Sequence, residues 1–174
     1  MINIEKNTSL PLVIWVSSLL LLLFILVLVG GATRITDSGL SITEWEVLIG
    51  ILPPLSESSW FIEFEKYKKI PEYILVNSSM TLSEFKVIYL WEWGHRLLAR
   101  LVGLVCVIPL IIFYFMKKLS KPVIRRSVLI SILIGIQGYI GWYMVQSGLT
   151  QRVDVSQYRF CLLYTSPSPR DLAQ

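Results

Sequence analysis

The chain opens with a short polar stretch and then runs uncharged and almost wholly apolar from Leu10 to Val29. Twenty or so such residues, at about 1.5 Å rise each, span a hydrocarbon core of roughly 30 Å. The competing reading is a secretory signal, with Gly30-Gly31-Ala32 as the small residues for cleavage. The run is longer than a signal core of about 7–15 residues, and two more spans follow, so a membrane helix over 10–29 is the better assignment. A second span is predicted over 87–116, with Pro109 as a candidate kink. A third is predicted over 127–146, where Gly135, Gly138 and Gly141 recur every third residue and suit close helix contact. Between the first two, residues 30–86 are polar and irregular, broken by Pro53-Pro54 and Pro71. That stretch reads as a long loop with a short helix near Trp60–Lys69. Its Trp45, Trp60, Phe61, Phe64 and Tyr67 suit either a surface at the lipid interface or a small loop core.

Composition supports this division. Of 174 residues, 54% are hydrophobic and only 16% charged, against roughly 25% charged in an average soluble domain. The net charge of +4 is modest, and the basic residues flank apolar runs instead of alternating with aromatics, which argues against a nucleic-acid surface. Charge also sets a topology. Residues 117–126 contain five basic residues and no acidic one, placing that connection on the cytoplasmic or mitochondrial matrix side. The N-terminal residues 1–9 then share that side. The loop 30–86, with eight acidic residues against five basic, lies on the opposite side together with 147–159. The two cysteines form no metal-binding spacing, and Cys106, inside an apolar run, reads as a small buried hydrophobe.

The candidate chemistry sits at the start of the second span, which reads Trp91-Glu92-Trp93-Gly94-His95-Arg96, with Arg100 one turn further. Three residues turn a helix by about 300° and raise it about 4.5 Å, so Glu92 and His95 share a face. Ionisable groups at membrane depth cost roughly 2.5–3.5 kcal/mol each, so they usually face a bundle interior and serve a function. An imidazole there can be an axial ligand of heme iron, and guanidinium groups suit the heme carboxylates. Trp91 and Trp93 could pack beside a porphyrin. A carboxylate one turn away could move protons or stabilise a cation. A carboxylate-bridged metal site reads similarly, as does a set of interface anchors in which Arg96 and Arg100 pair with Glu92.

The wider pattern is more specific. Gly30-Gly31-Ala32-Thr33-Arg34-Ile35-Thr36-Asp37-Ser38-Gly39-Leu40-Ser41 resembles the motif after the first helix of heme A synthases. Pro53-Pro54-Leu55, Trp60 and Pro71-Glu72-Tyr73 resemble that family's loop. Glu92-x-x-His95-Arg96 resembles its E-x-x-H-R motif, and Gly141-Trp142-Tyr143-Met144-Val145 with Ser147-Gly148-Leu149 its third helix and exit. Val153 to Arg159 resembles the approach to its fourth helix. The resemblance covers roughly residues 10–159 and is closest to the mitochondrial and alphaproteobacterial branch.

The resemblance implies an all-α integral membrane fold of eight helices in two similar halves. This chain would form half of that bundle: three transmembrane helices, a truncated fourth and a long extracytoplasmic first loop. It implies oxidation of the C8 methyl group of heme O to the formyl group of heme A for cytochrome c oxidase. His95 is then an axial ligand of the heme iron, Glu92 the catalytic carboxylate, and Arg96 and Arg34 groups near the heme or holding the loop. A heme B would belong to the second half. The implied partners are heme O, membrane lipid, heme O synthase or oxidase assembly factors, and further copies of the chain. The implied location is a bacterial plasma membrane or mitochondrial inner membrane.

The chain departs from the family pattern at two places. From Phe160 to Gln174 it contains no histidine, and Pro167 and Pro169 do not suit a spanning helix, so this tail reads as foreign sequence joined to a truncated frame. Glu46-Val47 stands where the family tends to a basic residue and proline. The rival functions are a membrane cytochrome of b type serving electron transfer and a non-catalytic membrane assembly protein.

Overall fold

A computed structural model describes residues 10–44 and 49–151. Trp45, the Glu46-Val47 departure, the motif Val153–Arg159 and the tail from Phe160 lie outside those residues. Among the described residues the chain is all helical. α1 spans Leu10–Ile35, α2 Glu57–Tyr67, α3 Pro71–Leu75, α4 Leu82–Phe115 and α5 Lys121–Gln151, with a 3-10 turn at Ile49–Ile51 between α1 and α2. Among the described residues three helices are long and apolar enough to cross a membrane: Leu10–Ile35, Leu82–Phe115 and the Lys121–Gln146 part of α5.

Local chemistry explains the boundaries. α1 continues past the uncharged run as far as Ile35, because nothing from Gly30 to Arg34 stops a helix once its first turns are formed. It ends where Asp37 takes a left-handed φ of 47° and the Ser38 amide turns back to the Thr33 carbonyl (3.0 Å). Asp is one of the few side chains that tolerate this conformation. α2 is capped by Ser56, whose hydroxyl accepts from the Ser59 amide. α4 begins five residues before the predicted span because Thr81 and Glu84 form a reciprocal capping box. α3 starts on Pro71, which has no amide hydrogen to leave unsatisfied.

α1 and α5 both run antiparallel to α4. Trp15 meets α4 at Val105 while Gly30 meets it at His95. On the other side, Cys106 touches the Ser131 hydroxyl (3.2 Å), and Val145 and Leu149 reach the residues around the start of α4. α4 is therefore the central element, and its buried positions Phe85, Tyr89, Glu92, Val102, Cys106 and Leu110 follow helical spacing. Gly135, Gly138 and Gly141 behave differently from expectation: a Cβ at any of them would meet nothing within 4 Å, so α5 turns that face away from the described helices.

Within the apolar part of the described residues, one hydrogen bond ties α1 to α4. α4 continues as helix through Pro109, whose ring nitrogen carries no hydrogen for the carbonyl four residues back. That carbonyl is Val105, and the Trp15 indole N–H donates to it at 2.6 Å. Trp15 is buried and its ring stands 5.5 Å from that of Phe113. An unsatisfied carbonyl in an apolar medium is costly, so the indole repairs the gap left by proline. Trp15→Phe is expected to destabilise the α1–α4 pair by about 0.5–1.5 kcal/mol. In a Pro109→Ala background, where the new amide reaches Val105, it should cost much less. Denaturation in mixed micelles of the two single variants and the double variant checks the coupling.

The loop aromatics resolve into a core and a surface. Phe64, Tyr67, Ile70, Phe85, Tyr89, Leu40 and Ile42 form one buried cluster, with Trp60 and Tyr73 packed on its edge. Phe85 stands 5.0 Å from Phe64 and 5.1 Å from Tyr67, ring centre to ring centre. Phe61, by contrast, is 55% exposed. The short predicted helix near Trp60–Lys69 thus appears as α2 and packs its Phe64–Tyr67 side against α4. The Tyr67 hydroxyl accepts from the Asn77 amide (2.9 Å). Burial, with the Glu72 carboxylate next in effect, holds that phenol well above its ordinary range.

Candidate functional site at the head of α4

The residues between Glu92 and Arg100 lie where α4 passes beneath the segment that follows α1. Glu92 is 3% exposed, so its carboxylate must find its donors inside the protein. It finds four. Oε1 accepts from Arg96 Nη2 (2.6 Å) and Nε (3.1 Å). Oε2 accepts from the Ser41 hydroxyl (2.7 Å) and the Ile42 amide (2.8 Å). An ionised carboxylate has about four lone-pair sites, and here every one has a donor. Arg96 in turn donates from Nη2 to the Ile42 carbonyl (3.0 Å) and from Nη1 to the Glu44 carbonyl (3.2 Å).

The same row of α4 side chains holds the chain further along. The Trp93 indole donates to the Ile51 carbonyl (3.1 Å) and Arg100 Nη1 to the Gly50 carbonyl (3.2 Å). Irregular backbone leaves carbonyls without ladder partners, and long donors on α4 supply them. Lys66 on α2 adds an outer clamp, binding Glu44 at 2.9 Å and Glu63 at 2.8 Å. Its hydrogen bonds to those carboxylates, Glu63 first, hold its ammonium well above the usual lysine range. The charged form therefore persists throughout the neutral range, and any stability it lends is lost only at strongly alkaline pH. Between the tethered segment, α2 and α4 lies a cleft of about 480 Å³, lined in part by Leu52, Pro53, Tyr89, Arg96 and Arg100.

His95 turns elsewhere. The roughly 60° that separates it from Glu92 around the helix is enough to aim it at α1 and not at the loop. A methyl group built at Gly30 would lie 3.0 Å from Nε2. Among the described residues the imidazole makes no hydrogen bond. Arg34 lies exposed in the last turn of α1. Of the four residues singled out from sequence, the structure joins Glu92 and Arg96 in one ion pair, sets His95 one turn away against α1, and leaves Arg34 at the helix end.

Three contributors escaped the sequence reading: the Ser41 hydroxyl, the Ile42 amide and the side-chain-free Gly30. Ser41 and Gly30 both lie in the motif after the first helix, but nothing in their spacing tells which α4 residue they meet.

Comparison with known proteins adds to the geometry. A family model described as cytochrome oxidase assembly protein matches residues 13–163. The chain is 50% identical to a heme A synthase of Parvibaculum lavamentivorans over 145 residues, covering 83% of this chain and 42% of that protein. It is 50% identical to one from Chelativorans over 160 residues, 88% of this chain and 44% of that one. It is 53% identical to one from Agrobacterium fabrum over 155 residues, 89% of this chain and 42% of that protein. The chain spans less than half the length of these curated relatives. No solved structure matches it. The family model covers most of the chain, including α1, the tethered loop, α4 and α5, and on that ground this integral membrane chain belongs to the cytochrome oxidase assembly protein family.

Proposed function

We propose that this chain forms the N-terminal part of a heme A synthase, which oxidises the C8 methyl group of heme O to a formyl group for cytochrome c oxidase. The observation that carries the reading is His95. The half-buried imidazole makes no hydrogen bond among the described residues, which leaves it able to form a metal bond. The α1 backbone at Gly30 stands against the distal edge of the ring, so the imidazole has to turn about its side-chain torsions before it meets iron. Bound heme O supplies the iron that His95 ligates and the methyl carbon that is oxidised.

The remaining residues act around that ligand. Glu92 and Arg96 hold Ser41–Glu44 onto α4 and so shape the wall beside the site. The Ser41 hydroxyl, one of the four donors to Glu92, also reaches the Ser38 carbonyl at 3.2 Å. Arg96 and Arg100 bring two guanidinium groups to the cleft, and that charge suits the carboxylates of a heme. Arg34 belongs to this reading as a group near the heme or holding the loop. A heme B belongs to the second half of the full-length protein. The basic connection 117–126 is assigned to the cytoplasmic or matrix side, and the loop with Glu92 to the other. Heme O synthase, oxidase assembly factors and further copies of the chain are the partners that fit this role.

The test is Glu92→Ala and His95→Ala in the full-length protein, with the extracted pigments separated by chromatography. Heme O should accumulate and heme A should fall to background in both. Unchanged conversion in both refutes the assignment, and heme B as the sole pigment of the unmutated protein favours an electron carrier.

A further inference from the structure

The segment that follows the 3-10 turn carries apolar side chains that the described residues leave uncovered: Ile51, Leu52 and Leu55 are 45%, 69% and 80% exposed. Loop tips in water usually hold small or polar residues, so three large apolar ones together call for a cover. Two donors on α4 fix the depth of this segment. Trp93 bonds the Ile51 carbonyl and Arg100 the Gly50 carbonyl, and these donors stand about two turns apart on one stripe of the helix. Counted back from Phe115, the end beside Lys117 and Lys118, about twenty residues at about 1.5 Å each cross a hydrocarbon core of roughly 30 Å. That count ends near Arg96, between the two donors. Gly50 and Ile51 therefore lie at the boundary of the core, whichever side of the membrane that boundary faces. Beyond Arg100 the same stripe continues as Leu104, Val107 and Ile108, all exposed among the described residues. The loop side chains are thus continuous with the apolar face of a spanning helix. Irregular backbone ordinarily resists lipid because its polar groups go unsatisfied. Here the Gly50 and Ile51 carbonyls have their α4 donors, and Pro53 and Pro54 carry no amide hydrogen.

We infer that Ile51, Leu52 and Leu55 form a membrane-interface anchor: they enter the bilayer at the boundary of headgroups and hydrocarbon and hold the loop against lipid beside the head of α4. The partner is bulk phospholipid, met by apolar burial. The stretch from Gly50 to Ser56 carries no charged residue, so the attachment does not depend on anionic headgroups. The anchor requires α4 to span the membrane and requires nothing of a heme.

Spin labelling reads the surroundings of the segment directly. Leu55→Cys and Ser79→Cys are made in the full-length protein with its own cysteines replaced by alanine, labelled with a nitroxide and placed in phosphatidylcholine vesicles. Ser79 is exposed beside the start of α4 and serves as the water reference. The label at 55 should be relaxed by oxygen, which concentrates in lipid. It should lose the relaxation by a water-soluble nickel chelate that the label at 79 shows. Nickel relaxation at 55 as strong as at 79 overturns the anchor and leaves the segment in water. A label at 55 that neither agent reaches also overturns it, since the cover is then protein, either the second half of the full-length chain or another copy. The unmodified protein supplies a second measurement should the variants fail to fold. A carbene generated from a lipid-soluble diazirine in the same vesicles should insert into the peptide that holds residues 51–55 as it does into the spanning helices. An unlabelled 51–55 peptide beside labelled spanning helices overturns the anchor.

Discussion

Glu92→Ala is expected to release Ser41–Glu44 from α4 and to destabilise the protein by about 3–5 kcal/mol. The carboxylate collects four donors, and its removal takes the Glu92 counter-charge from Arg96, which is only 10% exposed. Breaking one side of a buried pair costs far more than an exposed pair contributes, because the remaining charge stays desolvated. The Ile42 amide loses its acceptor at the same time, and the Ser41 hydroxyl keeps only the Ser38 carbonyl. The first sign should be faster proteolysis within residues 42–55, measured alongside denaturation in mixed micelles. Glu92→Gln separates structure from charge. Its amide oxygen can still accept from Ser41 and Ile42, so the loop should loosen less, while the ion pair is lost. If Glu92→Ala leaves proteolysis and stability unchanged, the carboxylate does not anchor the loop. The experiment also guards the functional test, since a lost activity has two possible origins here. A Glu92→Gln protein that keeps its loop and loses conversion assigns the charge to the chemistry.

The second large effect is expected at Phe85. Its side chain is fully buried and touches the rings of Phe64, Tyr67 and Tyr89, so it joins α2 to α4. Phe85→Ala removes a whole ring from the centre of the cluster and should cost about 3–5 kcal/mol, the transfer and cavity contributions combined. Phe85→Leu keeps most of the volume and should cost less than about 1.5 kcal/mol if the neighbours repack. Phe61→Ala, on the exposed side of α2, should stay within about 0.5 kcal/mol. Near-ultraviolet circular dichroism and thermal unfolding of the three variants check the order. A Phe85→Ala protein as stable as Phe61→Ala would mean that the cluster is not a core.

Different parts of this structure differ in how much of them the sequence discloses. The spanning helices are legible because length and lack of charge are local properties. α2 is legible in part: a helix near Trp60–Lys69 is expected, but its start at Glu57, capped by Ser56, is not. The candidate site is only half legible. Glu92, His95 and Arg96 stand out because ionisable groups at the edge of an apolar run demand an explanation. Their partners do not stand out. Ser41 and Ile42 lie about fifty residues earlier, and a serine or a backbone amide carries no mark of its acceptor. Helical spacing put Glu92 and His95 on one face, yet their neighbours differ, because the loop covers one edge of that face and α1 the other. Whether the loop aromatics formed a surface or a core was open for a similar reason. Both answers have the same composition, and only the distance from α2 to α4 decides between them.

The bond from Trp15 to the Val105 carbonyl bears on how such a chain can change over generations. Proline at 109 is tolerable while an indole stands at 15, and the indole has an acceptor while proline stands at 109. Either substitution alone strands a polar group among apolar ones, whereas the two together restore an ordinary helix beside an ordinary apolar contact. Widely separated in the chain, the two positions are thus expected to be exchanged as a pair or kept as a pair.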